Sequence, residues 1–105
     1  MDQTDEQREL SCFDKAKEKG EPTFTLRSQD LTAPMTVEFW ITLQMEVKQA
    51  MDDGMTGPEA IEHVRREHRI PHWTRFMGEE AGDKLHGAAR IGKAMEEFPN
   101  RRLAD

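Results

Sequence analysis

The chain has a single cysteine, Cys12, so it cannot form an internal disulfide, and this suits a reducing compartment. It has no run near the ~18 consecutive apolar residues that a bilayer span requires. Its acidic start, Met1-Asp-Gln-Thr-Asp-Glu, is unlike a secretory signal. A cytoplasmic protein with no membrane partner is therefore expected. Basic residues are also in deficit: 15 Lys and Arg against 21 Asp and Glu give a formal charge of −6 and a pI near 5.2. That balance argues against general binding to nucleic acid or to anionic membrane surfaces.

The signatures of an enzyme are missing as well. No nucleophile stands with its base, and there is no Walker loop, no Rossmann glycine fingerprint and no paired-carboxylate site. His63-Val-Arg-Arg-Glu67-His68 is one residue too long for the H-x-x-E-H pattern. His68 and His72 have a four-residue spacing, yet Pro71 between them breaks the helix that would put both on one face. The expectation is a binding protein with no catalytic residue, no metal and no cofactor.

What is present is a charged, helix-patterned chain of 105 residues, 34% charged and 35% hydrophobic. It has room for one domain, 1–105, and at this size only roughly 65% of the unfolded surface is buried. Self-association would help so small a core, and a homo-oligomer is expected. The patterning predicts a mainly α fold, a small helical domain of four to five helices with one extended or β segment near residues 22–29.

Thr4-x-x-Gln7 has the form of a capping box, and Leu10, Phe13 and Ala16 follow at helical spacing up to Gly20. This predicts a helix over about 5–19 whose narrow apolar stripe must dock on something. Cys12, beside that stripe, has no basic partner nearby and reads as a small apolar filler. A central helix is expected from about 33 to 53, with Pro34 in its first turn and Val37, Trp40, Ile41, Leu43, Val47 and Met51 giving a broad apolar face. Thr56-x-x-Glu59 is a second capping box, opening a short helix over about 58–69 that Pro71 ends. The last helical pattern covers about 72–98 and contains Gly78, Gly82, Gly87 and Gly92, each costing about 1 kcal/mol in a helix interior. The preferred reading is a break around Gly78–Gly82 and a firm helix over about 83–98; the alternative is that small residues admit a close neighbour.

The stretch Glu21–Trp40 is where a two-residue alternation (Phe24, Leu26) hands over to a helical pattern (Val37, Trp40, Ile41). No second strand is evident. Residues 23–28 are therefore expected either to pair with their copy in another subunit or to lie extended across helices. Arg27, Gln29, Asp30 and Thr32 stand at the start of the central helix, where backbone donors and an arginine could hold an anionic or carbonyl-bearing ligand. Alternatively, Asp30 caps the helix, Arg27 pairs with a carboxylate and nothing binds. The most basic stretch, Arg65, Arg66, His68, Arg69, His72 and Arg75, is interleaved with Trp73 and Phe76. Arginine forks suit phosphate and aromatic faces suit bases. The competing reading pairs these arginines with Glu62, Glu67, Glu79 and Glu80 and puts Trp73 and Phe76 in the core. The tail, Asn100–Asp105, is expected to be poorly ordered unless its arginines are recruited to the junction near Arg27.

The stretch E-P-T-F-T-L-R-S-Q-D-L-T-A-P-M-T-V-E-F-W resembles a signature of small accessory proteins from phages and prophages, in which an extended F-x-L-R-x-Q-D segment precedes an A-P-x-x-V-x-x-W helix. The closing Ala94–Asp105 segment is similar to the ends of such proteins, and together these cover about a third of the chain. The resemblance implies an accessory role for a phage or mobile element in a bacterial host, and no particular activity. Two functions follow as expectations. The first is an oligomeric protein that captures an anionic, nucleotide-like ligand through Arg27, Gln29, Asp30, Thr32, Trp40, Arg66, Arg69 and Trp73, serving as a sponge for a nucleotide immune signal. The second is a protein interaction module that binds and inhibits a host protein.

Overall fold

The computed structural model describes residues 3–99 and 101–103. It contains four helices, α1 (Asp5–Lys19), α2 (Ala33–Asp52), α3 (Gly57–Glu67) and α4 (Asp83–Glu97), and no strand among the described residues. The fold is mainly α. The chain divides into two compact units, Met1–Thr25 with Trp73–Pro99, and Leu26–His72 with Asn100–Asp105.

In the first unit, α1 starts on the capping box expected of Thr4-x-x-Gln7. The Gln7 N–H donates to Thr4 Oγ1 at 3.1 Å and the Thr4 N–H donates to Gln7 Oε1 at 2.9 Å. It stops at Gly20, whose φ of 71° lets the Glu21 N–H turn back to the Ala16 carbonyl at 2.9 Å. Only Ala16 of this helix is buried, and Leu10 and Phe13 remain exposed. Within the unit α1 and α4 do not pack on each other.

α4 begins at Asp83, so Gly78 and Gly82 lie in the irregular stretch before it, as the glycine spacing suggested. Gly92 has the other role considered for the small residues. A Cβ there would stand 2.7 Å from Thr74 Cγ2, and the Thr74 hydroxyl donates to Glu96 Oε1 at 2.6 Å one turn further on. Glycine thus admits residue 74 against the helix. Pro22 and Thr23 lie along another side of α4, sharing a shallow cavity with Gly87, Arg90, Ile91 and Ala94.

Residues 21–27 join no ladder, and the Thr23–Leu26 backbone makes no hydrogen bond among the described residues. The strand read from the Phe24/Leu26 alternation is therefore an extended segment in the single chain. The alternation itself is real, but a strand needs a neighbour to bond.

The second unit is a helical hairpin. Leu43, Val47 and Ala50 of α2 recur at i, i+4 and i+7 and meet Ala60 and Val64 of α3, with Met55 and Leu103 packed against them. Ala60 is fully buried, and the two alanines let the helix backbones approach. α3 opens on its own capping box. The Glu59 N–H donates to Thr56 Oγ1 at 3.2 Å, and the Thr56 N–H donates to Glu59 Oε1 at 3.0 Å.

The bond from the Thr56 backbone, and after it the bond with the Thr56 side chain, hold the Glu59 carboxyl below its ordinary value. A depressed acid stabilises the fold above its unfolded value and loses that contribution as pH falls through the folded value. The melting-temperature gap between wild type and Glu59→Gln should therefore narrow once the pH drops below the ordinary carboxylate value of 4.5. Thr56→Ala, which removes the cap itself, should cost about 1 kcal/mol at neutral pH, read from urea denaturation.

Candidate functional site

The junction before α2 is a closed turn. The Asp30 N–H donates to the Arg27 carbonyl at 2.9 Å, and the Arg27 N–H donates to Asp30 Oδ2 at 3.3 Å. The Asp30 carbonyl then accepts from the Ala33 N–H at 3.1 Å. The helix start is thus served by a main-chain carbonyl, while the Thr32 hydroxyl makes no capping bond and its carbonyl takes both the N–H and the hydroxyl of Thr36. Arg27, Gln29, Asp30 and Thr32 are all exposed. Among the described residues the Arg27 guanidinium has no partner. Trp40 stands eight residues into α2, about 12 Å along the axis from Thr32.

Arg66 and Arg69 mark the end of α3. The Ile70 N–H returns to the Arg65 carbonyl at 3.0 Å and the Arg69 N–H to the Arg66 carbonyl at 3.2 Å, which forces Arg69 into the left-handed region at φ 53°. That position normally takes glycine. Arg69→Gly should therefore raise unfolding free energy by about 0.5–1 kcal/mol, measured by denaturant titration, provided the end of α3 stays closed. Trp73 belongs to the first unit and, like Phe76, is exposed, so neither ring is a core residue. Of the carboxylates weighed as partners for the basic stretch, Glu62 lies 3.9 Å from Arg65 Nε. None of the eight residues singled out from sequence lines either of the two cavities described for the chain.

His68 is occupied. Its Nε2 lies 2.5 Å from Glu46 Oε2, and its ring meets Phe39 edge-on with centroids 5.3 Å apart. Among the described residues no three His, Cys, Asp or Glu side chains are grouped to hold a metal ion.

The second unit contains a groove of about 400 Å³. Leu43, Val47 and Met51 of α2 form one wall and Ile61 and Val64 of α3 the other. Arg65, Arg101 and Arg102 line it as well, and no carboxylate does. Leu103, packed on the hairpin core, brings the two tail arginines there. Arg65 is held from below: its Nη1 donates to the Pro71 carbonyl at 3.1 Å, while its buried Nε makes no hydrogen bond. Three arginines thus stand around an apolar floor in a chain of charge −6. The tail arginines had one signal in the sequence, an apolar residue directly after them. That signal does not say where Leu103 docks.

No family model, no curated protein and no solved structure matches the chain. No helix among the described residues is long and apolar enough to cross a membrane.

Proposed function

We propose that the protein is a small accessory binding protein that captures an anionic, nucleotide-like ligand. The groove carries the reading, because there an apolar cavity is lined by Arg65, Arg101 and Arg102. Phosphate oxygens would be held by the guanidinium forks of Arg101 and Arg102, while the base lies on Leu43, Met51 and Ile61. Capture needs affinity and no chemistry, which agrees with a chain lacking a nucleophile and its base. In the cytoplasm of a bacterial host, and in the mobile-element setting implied by the A-P-x-x-V-x-x-W resemblance, such capture would sequester a nucleotide immune signal.

Arg27 and the other junction residues form a second, more open place for an anion. A thermal-shift titration of the full chain with linear and cyclic mono- and dinucleotides tests the reading, with adenosine as the uncharged control. Nucleotides should raise the melting temperature by several degrees at millimolar concentration and adenosine should not. If Arg27→Ala removes the shift and the groove variants keep it, the ligand belongs at the junction. No shift with any nucleotide would overturn the reading.

The second reading, a module that binds and blocks a host protein, is favoured by a different observation. Leu31 and Met35, four positions apart at the start of α2, are each more than two-thirds exposed, as the apolar part of a protein-contact surface would be.

A further inference from the structure

We infer, resting on the nucleotide reading for the identity of the ligand, that Leu103 is the positioning residue of the groove and that docking of the tail and capture of an anion are one linked equilibrium. The groove draws its lining from three places in the second unit: α2, the stretch from α3 to Ile70, and the segment Arg101–Leu103. The two helices hold each other by burying Val47, Ala50, Ala60 and Val64. The tail segment lies outside every helix, and Leu103 is its one described residue packed on that cluster. Arg101 and Arg102 are exposed, whereas Leu103 is half-buried. The site thus has walls that fold by themselves and a basic rim that depends on one apolar anchor.

Two opposed effects decide how firmly that rim is held. Burial of the Leu103 side chain on the hairpin core favours docking. Bringing Arg101 and Arg102 to a groove already lined by Arg65, and by no carboxylate, opposes it through like-charge repulsion. An anion held among the guanidinium groups replaces that repulsion with attraction and leaves the apolar contribution as it was. A ligand that binds the docked segment better than the free one must therefore fasten it, and loosening the segment must weaken binding by the same factor.

Leu103→Ala removes most of the anchor and leaves all three arginines in the chain. It should weaken nucleotide capture about tenfold, because affinity falls with the fraction of molecules whose tail is docked. In the Arg101→Ala/Arg102→Ala background the same change should have no further effect, since no tail guanidinium is left to position. A substitution that merely loosened the hairpin would weaken both backgrounds equally.

The test is limited trypsin digestion of the full chain, read by mass spectrometry, with and without linear and cyclic mono- and dinucleotides. Trypsin cuts after arginine, so cleavage after Arg101 and Arg102 reports the undocked segment, and cleavage after the exposed Arg69 at the end of α3 is the internal reference. Without nucleotide, Leu103→Ala should be cut in the tail about ten times faster than wild type at an unchanged Arg69 rate, and Leu103→Met should return the slow cleavage. A nucleotide that raises the melting temperature of wild type should slow its tail cleavage, and slow that of Leu103→Ala much less. Equal tail cleavage of wild type and Leu103→Ala would overturn the inference. So would a nucleotide that stabilises wild type without protecting the tail, or an equal loss of affinity from Leu103→Ala in both backgrounds. Faster tail cleavage of Leu103→Ala, with no nucleotide stabilising wild type, would remove the nucleotide reading and leave Leu103 as the residue that docks the tail.

Discussion

Val64→Asp is expected to abolish the cooperative unfolding of the helical hairpin. Val64 is 3% exposed and forms, with Val47, Ala50 and Ala60, the buried cluster at the α2–α3 contact. A carboxylate there would have to ionise against aliphatic neighbours at a cost of several kcal/mol, or take up a proton and still lack a hydrogen-bond partner. Folded domains of this size have only about 5–15 kcal/mol in hand. The rest of the hairpin offers little compensation, since the Lys48–Asp52 pair is exposed and worth about 0.3–0.5 kcal/mol. The check is a thermal melt followed by circular dichroism. Wild type should show a sigmoidal transition, and the variant a shallow, nearly linear loss of signal. A variant that melted cooperatively within a few degrees of wild type would mean that the α2–α3 contact is not the structural centre of its unit.

The second large effect concerns binding. The double substitution Arg101→Ala/Arg102→Ala should weaken capture of a nucleotide probe at least about a hundredfold. A charge-assisted hydrogen bond contributes about 1.5–3 kcal/mol, and each 1.4 kcal/mol is a factor of ten. The substitutions are made in the tail and leave Arg65 in place. Arg65 also donates to the Pro71 carbonyl, so truncating it would disturb the turn after α3 as well as the groove. Arg101 and Arg102 are exposed and precede the anchoring Leu103, which the substitutions leave in place. Calorimetric titration of the two proteins with the nucleotide giving the largest thermal shift measures the change. Raising the salt should weaken the wild type more than the double variant, because part of the attraction is screened charge. Equal affinities would remove the groove from the account.

The helix boundaries were legible because local chemistry sets them. Thr4-x-x-Gln7 and Thr56-x-x-Glu59 are closed capping boxes, Gly20 adopts the left-handed conformation, and α4 starts only after Gly82. The extent of burial was less legible. The broad apolar face of α2 marked it as the central helix, yet Val47 and Ala50 are buried while Trp40 and Ile41 are half exposed. Two features explain the difference: Ile41 lies on the side of α2 away from the Leu43, Val47 and Ala50 stripe that meets α3, and α3, with 11 residues or about 16 Å, cannot run along all of a 20-residue helix of about 30 Å.

The groove was not legible, because its basic rim joins Arg65 to Arg101 and Arg102, thirty-odd positions apart, through the docking of Leu103. Nothing local to either segment encodes that meeting. At the junction, composition pointed to a polar cradle, and the chain folds those residues into a turn closed by the Asp30 carboxylate and by main-chain groups of Arg27 and Asp30. Asn and Asp residues readily make such turns, and this use competes with ligand binding for the same atoms.

Native mass spectrometry of the full chain, gently purified and then incubated with the nucleotide panel, tests ligand capture most directly. The account predicts bound mass in the range of a nucleotide, in fixed ratio to the chain and missing from the Arg101→Ala/Arg102→Ala protein. A spectrum of bare protein, unchanged by every nucleotide at concentrations well above the protein's, would contradict it.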